Sequence, residues 1–260
     1  MRSVVLRTLV LAVCLLSACG KGHDVIVAGS TSVQPYAEVL AEEYMIHNPQ
    51  NIIDIQGGGS SAGITAAESG TADIGMSSRD LKNTEQHLWS VEIAKDGLAM
   101  IVNPGNPVQN LTLSQIRSIY AADVQRWSEL GGADARIHII SREEGSGTRS
   151  AFEELIMGDR RITPRAIIQD SNGAVRQLVA DDPYSIGFLS LGLVDNTVKA
   201  LHLDGVAATR ENIVNGSYKL LRSFLFVSRE QPADVVMDYI NFVLSPEGQR
   251  LLSEEGLIPE

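Results

Sequence analysis

Cysteine is nearly absent from this chain of 260 residues, and its scarcity excludes several kinds of site. The only two cysteines, Cys14 and Cys19, lie within the first 20 residues, so the rest of the chain has neither a disulfide framework nor a thiolate metal site. The five histidines and the aspartates show no ordered ligand spacing. The Gly-x-x-x-x-Gly-Lys-Ser/Thr sequence of nucleotide hydrolases does not occur. We therefore expect no metal ion and no cofactor.

Basic charge and long apolar runs are scarce as well. The chain has 21 lysines and arginines against 32 aspartates and glutamates, which gives a net charge of −11. A protein this acidic is poorly suited to neutralising nucleic-acid phosphates, so we expect no nucleic-acid partner. No apolar run of about 18 residues follows the N-terminal segment, so the sequence predicts no internal transmembrane helix. With 44% hydrophobic and 20% charged residues, the composition is that of an ordinary globular protein.

The first residues have the order of a secretory signal peptide. Two arginines precede an apolar run at residues 9–16, which ends in small residues. The run is too short to span a bilayer, and its directional order favours a signal over a buried N-terminal helix. The sequence Leu-Ser-Ala-Cys that ends at Cys19 also looks like a bacterial lipobox. We therefore expect a signal peptide at residues 1–18 and a lipid anchor on Cys19, which would hold the protein outside the cytoplasmic membrane or facing the periplasm.

The rest of the chain alternates short apolar strands with amphipathic helices, as α/β proteins with parallel sheets do. At four places a predicted strand ends in a turn rich in glycine and hydroxyl residues. The sequence predicts two α/β lobes. A Pro/Gly/Asn cluster at 102–107 and an apolar run at 220–227 mark the two points where we expect the chain to cross from one lobe to the other. The four turns are Gly29-Ser30-Thr31-Ser32, Gly59-Ser60-Ser61, Ser77-Ser78 and Gly145-Ser146-Gly147-Thr148.

These turns have the chemistry of an anion site. The first amides of a helix lack intrahelical acceptors and carry a partial positive charge, glycines let an anion approach the backbone, and hydroxyls add donors. For any single turn, the alternative is a serine or threonine that only caps its own helix. Four such turns favour one shared site, because ligands of α/β proteins gather beyond the carboxyl ends of the strands.

Arg142 is the cation embedded in this set of turns. Its planar guanidinium matches two oxygens of a phosphate or sulfate, and it precedes the glycine-rich turn at 145–148. The alternative is a surface ion pair with Glu143 or Glu144. Its place at a strand end favours the ligand role, and Arg79 has a similar position with a weaker case.

Four segments together resemble the phosphate-binding proteins of bacterial phosphate ABC transporters, the PstS type. Their order and spacing match the family over nearly the whole mature chain. The resemblance implies an α/β, two-lobed periplasmic-binding-protein fold of type II, with a mainly parallel sheet flanked by helices in each lobe. It also implies a monomeric, non-enzymatic receptor that closes on inorganic phosphate and delivers it to a membrane permease. The segments are Gly29–Pro35, Gly57–Gly63, Ala72–Arg79 and Arg142–Arg149.

The resemblance also implies which residues hold the ligand. Carried over position by position, the family's phosphate contacts fall on Thr31, Ser32, Ser60, Arg142, Ser146, Gly147 and Thr148. Ser78 departs from the pattern, because many relatives have an aspartate there that accepts a hydrogen bond from protonated phosphate. An aspartate would repel fully deprotonated sulfate. The serine at this position therefore weakens one means by which such a protein distinguishes phosphate from sulfate. Because a hydroxyl can both donate and accept, Ser78 still completes an expected set of eight contacts, and Arg79 and Asp80 are the other candidates to compensate.

The resemblance predicts how the chain divides and leaves some alternatives open. We expect residues 24–102 with 225–260 in lobe 1 and residues 103–224 in lobe 2. One alternative function is binding of another tetrahedral oxyanion, such as sulfate or molybdate. A secreted hydrolase using Ser146 is another, although the surrounding residues lack the first glycine of G-x-S-x-G. A surface lipoprotein kept for signalling or adhesion is disfavoured because the four turns are intact.

Overall fold

The structure is a computed structural model that describes residues 23–260. The expected signal peptide at residues 1–18 and the expected lipidation site Cys19 lie outside the described residues. Within residues 23–260, no helix is both long and apolar enough to cross a bilayer.

Eleven strands lie within the described residues. Most are short, apolar and rich in β-branched residues, which suits strands covered on both faces. They are β1 (His23–Gly29), β2 (Asn51–Gly57), β3 (Ile74–Ser77), β4 (Trp89–Val102), β5 (Asn110–Leu111), β6 (His138–Arg142), β7 (Ile167–Gln169), β8 (Ser185–Ser190), β9 (Lys199–Ala200), β10 (His202–Leu203) and β11 (Leu221–Ser228).

Eight α-helices flank these strands in the described part of the chain. Five of them begin after a serine or threonine whose side chain accepts a hydrogen bond from a first-turn amide, which explains where they start. The helices are α1 (Gln34–His47), α2 (Ser60–Ser69), α3 (Leu113–Tyr120), α4 (Gly147–Phe152), α5 (Asn172–Asp181), α6 (Arg210–Val214), α7 (Asp234–Leu244) and α8 (Pro246–Glu254). A π-helical turn, Glu153–Met157, continues α4.

The strands form one path in the order β2-β1-β3-β11-β4-β8-β6-β7, with β9 also beside β4. β1 is parallel to β2 and β3, whereas β11 is antiparallel to β3 and β4. On the other side, β8 is antiparallel to β4, and β6 is parallel to β8 and β7. β5 and β10 form a separate parallel pair. Each half of the path therefore contains a parallel group of strands.

The two largest apolar cores mark two lobes, one at each end of β4. The core of lobe 1 lies between its sheet and the helices α1, α7 and α8, and includes Leu40 and Tyr239. The core of lobe 2 includes Tyr120, Phe152 and Phe188. The rings of Phe152 and Phe188 stack with their centroids 4.2 Å apart. The two-lobed α/β fold implied by the resemblance is confirmed.

The chain passes between the lobes within β4 and at the start of β11. β4 pairs with β11 up to Gly97 and with β8 from Leu98 onward. Leu220 lies in the core of lobe 2, whereas Phe224 lies in the core of lobe 1. The domain divisions expected at 102/103 and 224/225 stay predictions, because strand pairing alone does not delimit a domain.

Glycines bring α2 very close to the sheet of lobe 1. A Cβ atom on Gly63 would lie 2.6 Å from the Cα atom of Gly29, and one on Gly75 would lie 2.5 Å from the carbonyl oxygen of Gly63. Gly29 also has a φ of +141°, which side-chain-bearing residues rarely adopt. The amide of Gly59 donates to the carbonyl of Gly29 at 2.8 Å. The turn before α2 is thereby held against the turn before α1.

Candidate functional site

The eight residues expected to contact the anion lie together between the lobes. Lobe 1 contributes its four at the ends of β1 and β3 and at the start of α2, and lobe 2 contributes its four at the end of β6 and the start of α4. All except Thr31 are buried. The residues of lobe 1 are Thr31, Ser32, Ser60 and Ser78, and those of lobe 2 are Arg142, Ser146, Gly147 and Thr148.

Hydrogen bonds join the lobes directly across this cluster. Ser32 Oγ and Thr148 Oγ1 are 2.8 Å apart, and Arg142 Nη2 donates to Thr31 Oγ1 at 3.3 Å. A backbone bond from the amide of residue 61 to the carbonyl of residue 145, at 3.0 Å, adds a third link. The lobes are therefore in a closed arrangement.

Gly147 allows this close approach because it has no side chain. A Cβ atom at this position would lie 2.6 Å from Ser78 Oγ, and closer still to Ser60 Oγ. Gly147 belongs to lobe 2 and both serines belong to lobe 1. Any larger residue would therefore force the lobes apart at the cluster.

Three serine hydroxyls of lobe 1 form a hydrogen-bonded chain. Ser30 Oγ donates to Ser78 Oγ at 2.9 Å, and Ser78 Oγ lies 3.3 Å from Ser60 Oγ. Ser60 Oγ also accepts from the backbone amide of Ser78 at 3.0 Å. Because a hydroxyl has two lone pairs, Ser78 can accept a second hydrogen bond beside the one from Ser30.

Arg142 is held at the end of β6 by acceptors of its own lobe. Its Nε and Nη2 donate to the Glu143 carboxylate at 3.0 and 2.9 Å. They also donate to the carbonyls of Gln169 and Asp170, at 3.2 and 3.0 Å. The ion pair with Glu143 is thus present, but Arg142 is buried, with a side chain only 1% exposed, whereas that of Glu143 is 31% exposed. Water screens Glu143 much more than the guanidinium.

Ser146 caps its own helix. Its Oγ accepts from the amide of Arg149 at 3.2 Å, as an N-cap serine does. The hydroxyl keeps its own proton for another acceptor, so capping and ligand contact are compatible.

Asn172 joins the cluster from a turn that the sequence analysis did not single out. It is the first residue of α5. Its Oδ1 accepts from the hydroxyls of Thr31 and Ser32, at 3.2 and 2.9 Å, and from Arg142 Nη1 at 3.2 Å, in the amide orientation that matches donors to acceptors. The visible signal was a further polar turn between a strand and a helix, Asp170-Ser171-Asn172-Gly173.

A buried ion pair next to Ser32 was also missed. Arg222 of β11 donates from Nε and Nη2 to Asp96 Oδ2 of β4, at 2.9 and 2.8 Å. Arg222 Nη2 also donates to Ser32 Oγ at 3.1 Å, and Asp96 Oδ1 accepts from Ser190 Oγ at 2.8 Å. Burial raises the pKa of Asp96 and lowers that of Arg222, and their attraction opposes both shifts. The signal in the sequence was Arg222 as the charged residue of the apolar run at 220–227, and Asp96 shortly before the apolar run at 98–102.

Arg79 is directed toward a carboxylate of lobe 1. Its guanidinium makes two hydrogen bonds to Glu85, at 2.7 and 2.9 Å, which hold the pKa of Glu85 below its usual value. Its other contacts are the carbonyl of Asp80 at 2.8 Å and Ser61 Oγ at 3.4 Å. Asp80 is exposed, whereas Ser78 is buried among the other hydroxyls. Of the three candidates to compensate for the missing aspartate, Ser78 is therefore the best placed.

The buried charges around the cluster are matched pairwise. Each of three arginines has one carboxylate partner, so the charges nearly cancel. The cluster itself offers hydroxyl donors, a guanidinium and the first turns of helices, a combination that suits a small oxyanion. The pairs are Arg142–Glu143, Arg79–Glu85 and Arg222–Asp96.

A possible set of metal ligands lies elsewhere. Glu43, His47 and Glu247 bring ligand atoms within 4.8 Å of one another. This group lies toward the other end of α1 from Ser32, and such exposed groups are common without an ion. It is therefore not part of the candidate site.

Comparison with known proteins identifies the family. Residues 17–247 match the family model described as a PBP superfamily domain. A crystal structure from Clostridium perfringens, described as a phosphate ABC transporter substrate-binding protein with bound phosphate, is 45% identical, with 92% of this chain and 100% of that chain covered and a TM-score of 0.89. The phosphate-binding protein PstS of Pseudomonas aeruginosa is 30% identical over 93% of this chain and 84% of its own length. This chain belongs to the PstS family.

A second solved structure agrees with this assignment. An ABC-type phosphate transport receptor from Vibrio cholerae is 38% identical, with 91% of this chain and 100% of that chain covered and a TM-score of 0.76. Because the match spans both lobes, the expected family and type II fold are confirmed. The roles of the individual residues stay predictions.

Proposed function

We propose that this chain is an extracytoplasmic receptor that captures inorganic phosphate between its lobes and delivers it to the permease of an ABC transporter. The observation that carries the proposal is the convergence of eight residues from two lobes on one buried cluster of donors. The PstS relatives, one of them with bound phosphate, support the same ligand.

The donors of the cluster explain why an anion would bind there. Ser32, Ser60 and Thr148 are buried hydroxyls, and the first turns of α2 and α4 add amides. Arg142 supplies a guanidinium, whose hydrogen bonds to phosphate are charge-assisted. Burial strengthens all of these interactions, because the local dielectric constant is well below that of water.

Binding from both lobes would couple the ligand to closure. Four of the proposed contacts come from lobe 1 and four from lobe 2, so phosphate makes the complete set only when the lobes are shut. A ligand that binds the shut form more tightly shifts the population toward that form. The closed shape would then be what the permease recognises as a loaded receptor.

The acidity of the protein does not prevent anion binding. The net charge of −11 repels an anion at long range. At physiological ionic strength this repulsion is largely screened beyond about 8 Å. The fixed dipoles and the guanidinium act at contact distance, so the local donors dominate.

Ser78 is the acceptor that we assign to the phosphate proton. At neutral pH phosphate carries a proton and sulfate does not, so a group that accepts a hydrogen bond favours phosphate. Ser78 Oγ has a lone pair left after accepting from Ser30. A neutral hydroxyl does not repel sulfate as a carboxylate would, so we expect weaker discrimination than in relatives with an aspartate. Ser78→Asp should therefore reduce sulfate binding more than phosphate binding.

The proposal is tested by calorimetric titration of carefully stripped protein with phosphate and with sulfate, at several pH values. We expect phosphate to bind and sulfate to compete poorly. Tight binding of sulfate, or of molybdate in a parallel titration, would make this a receptor for another tetrahedral oxyanion. No phosphate binding would overturn the assignment of the ligand and leave the fold unaffected.

The anchor is a separate part of the proposal. Leu-Ser-Ala-Cys at residues 16–19 supports a lipid on Cys19, followed by cleavage before it. Cys19→Ala should release the protein into the soluble fraction or leave the uncleaved precursor. If the mature wild-type protein begins elsewhere and partitions as soluble, the anchor is wrong.

A hydrolase that uses Ser146 is the less favoured candidate. The Ser146 hydroxyl accepts from the first turn of its own helix. Three histidines make side-chain hydrogen bonds within the described residues, to residues 43, 68 and 182, and none of these bonds reaches Ser146. A serine nucleophile needs a base within hydrogen-bond reach, so this geometry favours binding over catalysis.

A further inference from the structure

Arg222 and Asp96 lie on the two strands that join the lobes. They face each other in the β4–β11 pairing, and the next pair, Leu221 with Gly97, is the last before β4 continues beside β8. Their side chains are only 3% and 1% exposed. A buried pair of this kind contributes little net stability compared with apolar residues of similar size. Its position at the junction therefore calls for another role.

Hydrogen bonds connect the pair to both lobes. On the side of lobe 2, Ser190 at the end of β8 donates to Asp96 Oδ1 at 2.8 Å. On the side of lobe 1, Arg222 Nη2 donates to Ser32 Oγ at 3.1 Å. A continuous series of hydrogen bonds therefore runs from Ser190 at the end of β8, through the ion pair at the junction, to Ser32 in the turn before α1.

This series of hydrogen bonds fixes the direction of the bond between Arg222 and Ser32. A guanidinium has donors only, so Ser32 Oγ must accept from Arg222. The single proton of Ser32 is then directed to an acceptor, and both Asn172 Oδ1 and Thr148 Oγ1 lie within reach, at 2.9 and 2.8 Å. A phosphate oxygen between the lobes would be an acceptor of the same kind. Without Arg222, the Ser32 hydroxyl could rotate and lose this fixed role.

We propose that Arg222, held by Asp96, is a positioning residue of the phosphate site, which fixes Ser32 as a donor and ties anion recognition to the junction between the lobes. The inference rests on the proposed function, because Ser32 is one of its ligand contacts. Arg222 would thus be a second arginine that serves the site, in addition to Arg142. Asp96 neutralises this guanidinium and orients it, so that Arg222 acts through Ser32.

The test is a double-mutant cycle measured by phosphate titration. Arg222→Met should weaken phosphate binding about ten- to a hundredfold, the range for losing a hydrogen bond to a charged group. Ser32→Ala should weaken it comparably. If Arg222 acts through Ser32, the double variant should bind about as well as Ser32→Ala alone, since coupled residues are not additive. Arg222→Lys should rescue only part of the loss, because an ammonium lacks the fork that reaches Asp96 and Ser32 together.

Arg79→Met is the matched control. Arg79 is also a buried arginine paired with one carboxylate, but its guanidinium makes no hydrogen bond to any of the eight proposed contact residues. We expect it to lower thermal stability while changing phosphate affinity by less than about threefold. Thermal unfolding of every variant establishes that it is folded before titration.

The outcomes separate the two proposals. If stripped wild-type protein does not bind phosphate, the proposed function fails and the inference fails with it. If the wild type binds phosphate but Arg222→Met binds it equally well, only the positioning role is wrong. The same holds if the loss of affinity in Arg222→Met simply adds to the loss in Ser32→Ala. Should Arg222→Met not fold, Arg222→Lys and Asp96→Asn are measured instead in the same cycle, and additivity with Ser32→Ala would again overturn the role.

Discussion

The two lobes bring different chemistry to the same cleft. Lobe 1 presents hydroxyls and helix termini, and its Arg79 is directed to Glu85, which is 17% exposed. Arg222, at the junction between the lobes, is directed to the buried carboxylate of Asp96. Lobe 2 presents Arg142, which is buried while its carboxylate partner Glu143 is 31% exposed and screened by water. The positive charge available to a ligand is therefore concentrated in lobe 2. Lobe 1 contributes neutral donors that are fixed in direction.

This difference indicates a division of roles. Burial strengthens the attraction between an anion and a charged donor more than that between an anion and a neutral hydroxyl. A neutral hydroxyl contributes mainly through its orientation. We therefore expect the removal of charge from lobe 2 to weaken binding more than any single hydroxyl change in lobe 1.

Arg142→Ala should have the largest effect. It should weaken phosphate binding by about 2–5 kcal/mol, as for the truncation of one member of a buried charge pair. The same truncation at Arg79 of lobe 1 should leave affinity almost unchanged. Calorimetric titration of the two variants measures the contrast. Unchanged affinity in Arg142→Ala would remove this residue from the site.

Ser32→Ala should have the next largest effect, and Ser146→Ala is its counterpart in lobe 2. Losing the Ser32 hydroxyl should weaken binding by about 1.5–3 kcal/mol, because a hydrogen bond to a charged group is lost. Ser146 also caps α4, so its loss should lower the free energy of unfolding by about 0.5–2 kcal/mol. Titration and thermal unfolding of both variants separate the effects. Unchanged phosphate affinity in Ser32→Ala would contradict its assignment as a ligand contact.

Gly147→Ala tests whether the lobes must meet at the cluster. The added methyl group would collide with Ser60 and Ser78 of the other lobe. Overpacking of this kind costs about 1–3 kcal/mol, and we expect it to appear as lost affinity because the lobes can separate. Gly173→Ala is the control, since a methyl group there meets nothing within 4 Å. Equal affinities of the two variants would show that closure does not require this contact.

Glu85→Gln should have the smallest effect on binding and a measurable effect on stability. The pKa of Glu85 is lowered by its hydrogen bonds from Arg79, so ionised Glu85 stabilises the fold above its unfolded-state pKa. This stabilisation is lost as the pH falls through the depressed folded-state pKa. The difference in unfolding free energy between wild type and Glu85→Gln should therefore be largest near neutral pH and shrink in acid. A pH-independent difference would show that ionisation is not its source.

Much of the site could be predicted from the sequence because its parts are local. Each motif consists of a strand, a turn rich in glycine and hydroxyl residues, and a helix, all in consecutive residues. Several such turns also occur in the order found in the family. Ser60 and Gly147 could therefore be named without knowing that they meet. The two-lobed fold followed from the same pattern.

The missed residues depend on contacts between distant parts of the chain. Arg222 and Ser32 are 190 positions apart, and Asn172 and Ser32 are 140 apart. No local pattern shows that β11 runs beside β4, so the charged residues in these apolar strands had no visible partners. The sequence also posed a ligand role and a surface ion pair with Glu143 or Glu144 as alternatives for Arg142. The structure contains the pair with Glu143, and the same guanidinium reaches Thr31 of the other lobe, because it has enough donors for both. Its ligand role stays a prediction.

The central claim is that both lobes hold one phosphate ion between them, and a crystal structure of stripped protein soaked or grown with phosphate tests it most directly. The account predicts a single tetrahedral anion between the lobes, in contact with Arg142 and Thr148 on one side and with Ser32 and Ser60 on the other. An anion bound to one lobe alone, or bound elsewhere on the surface while this cluster stays closed on itself, would contradict it.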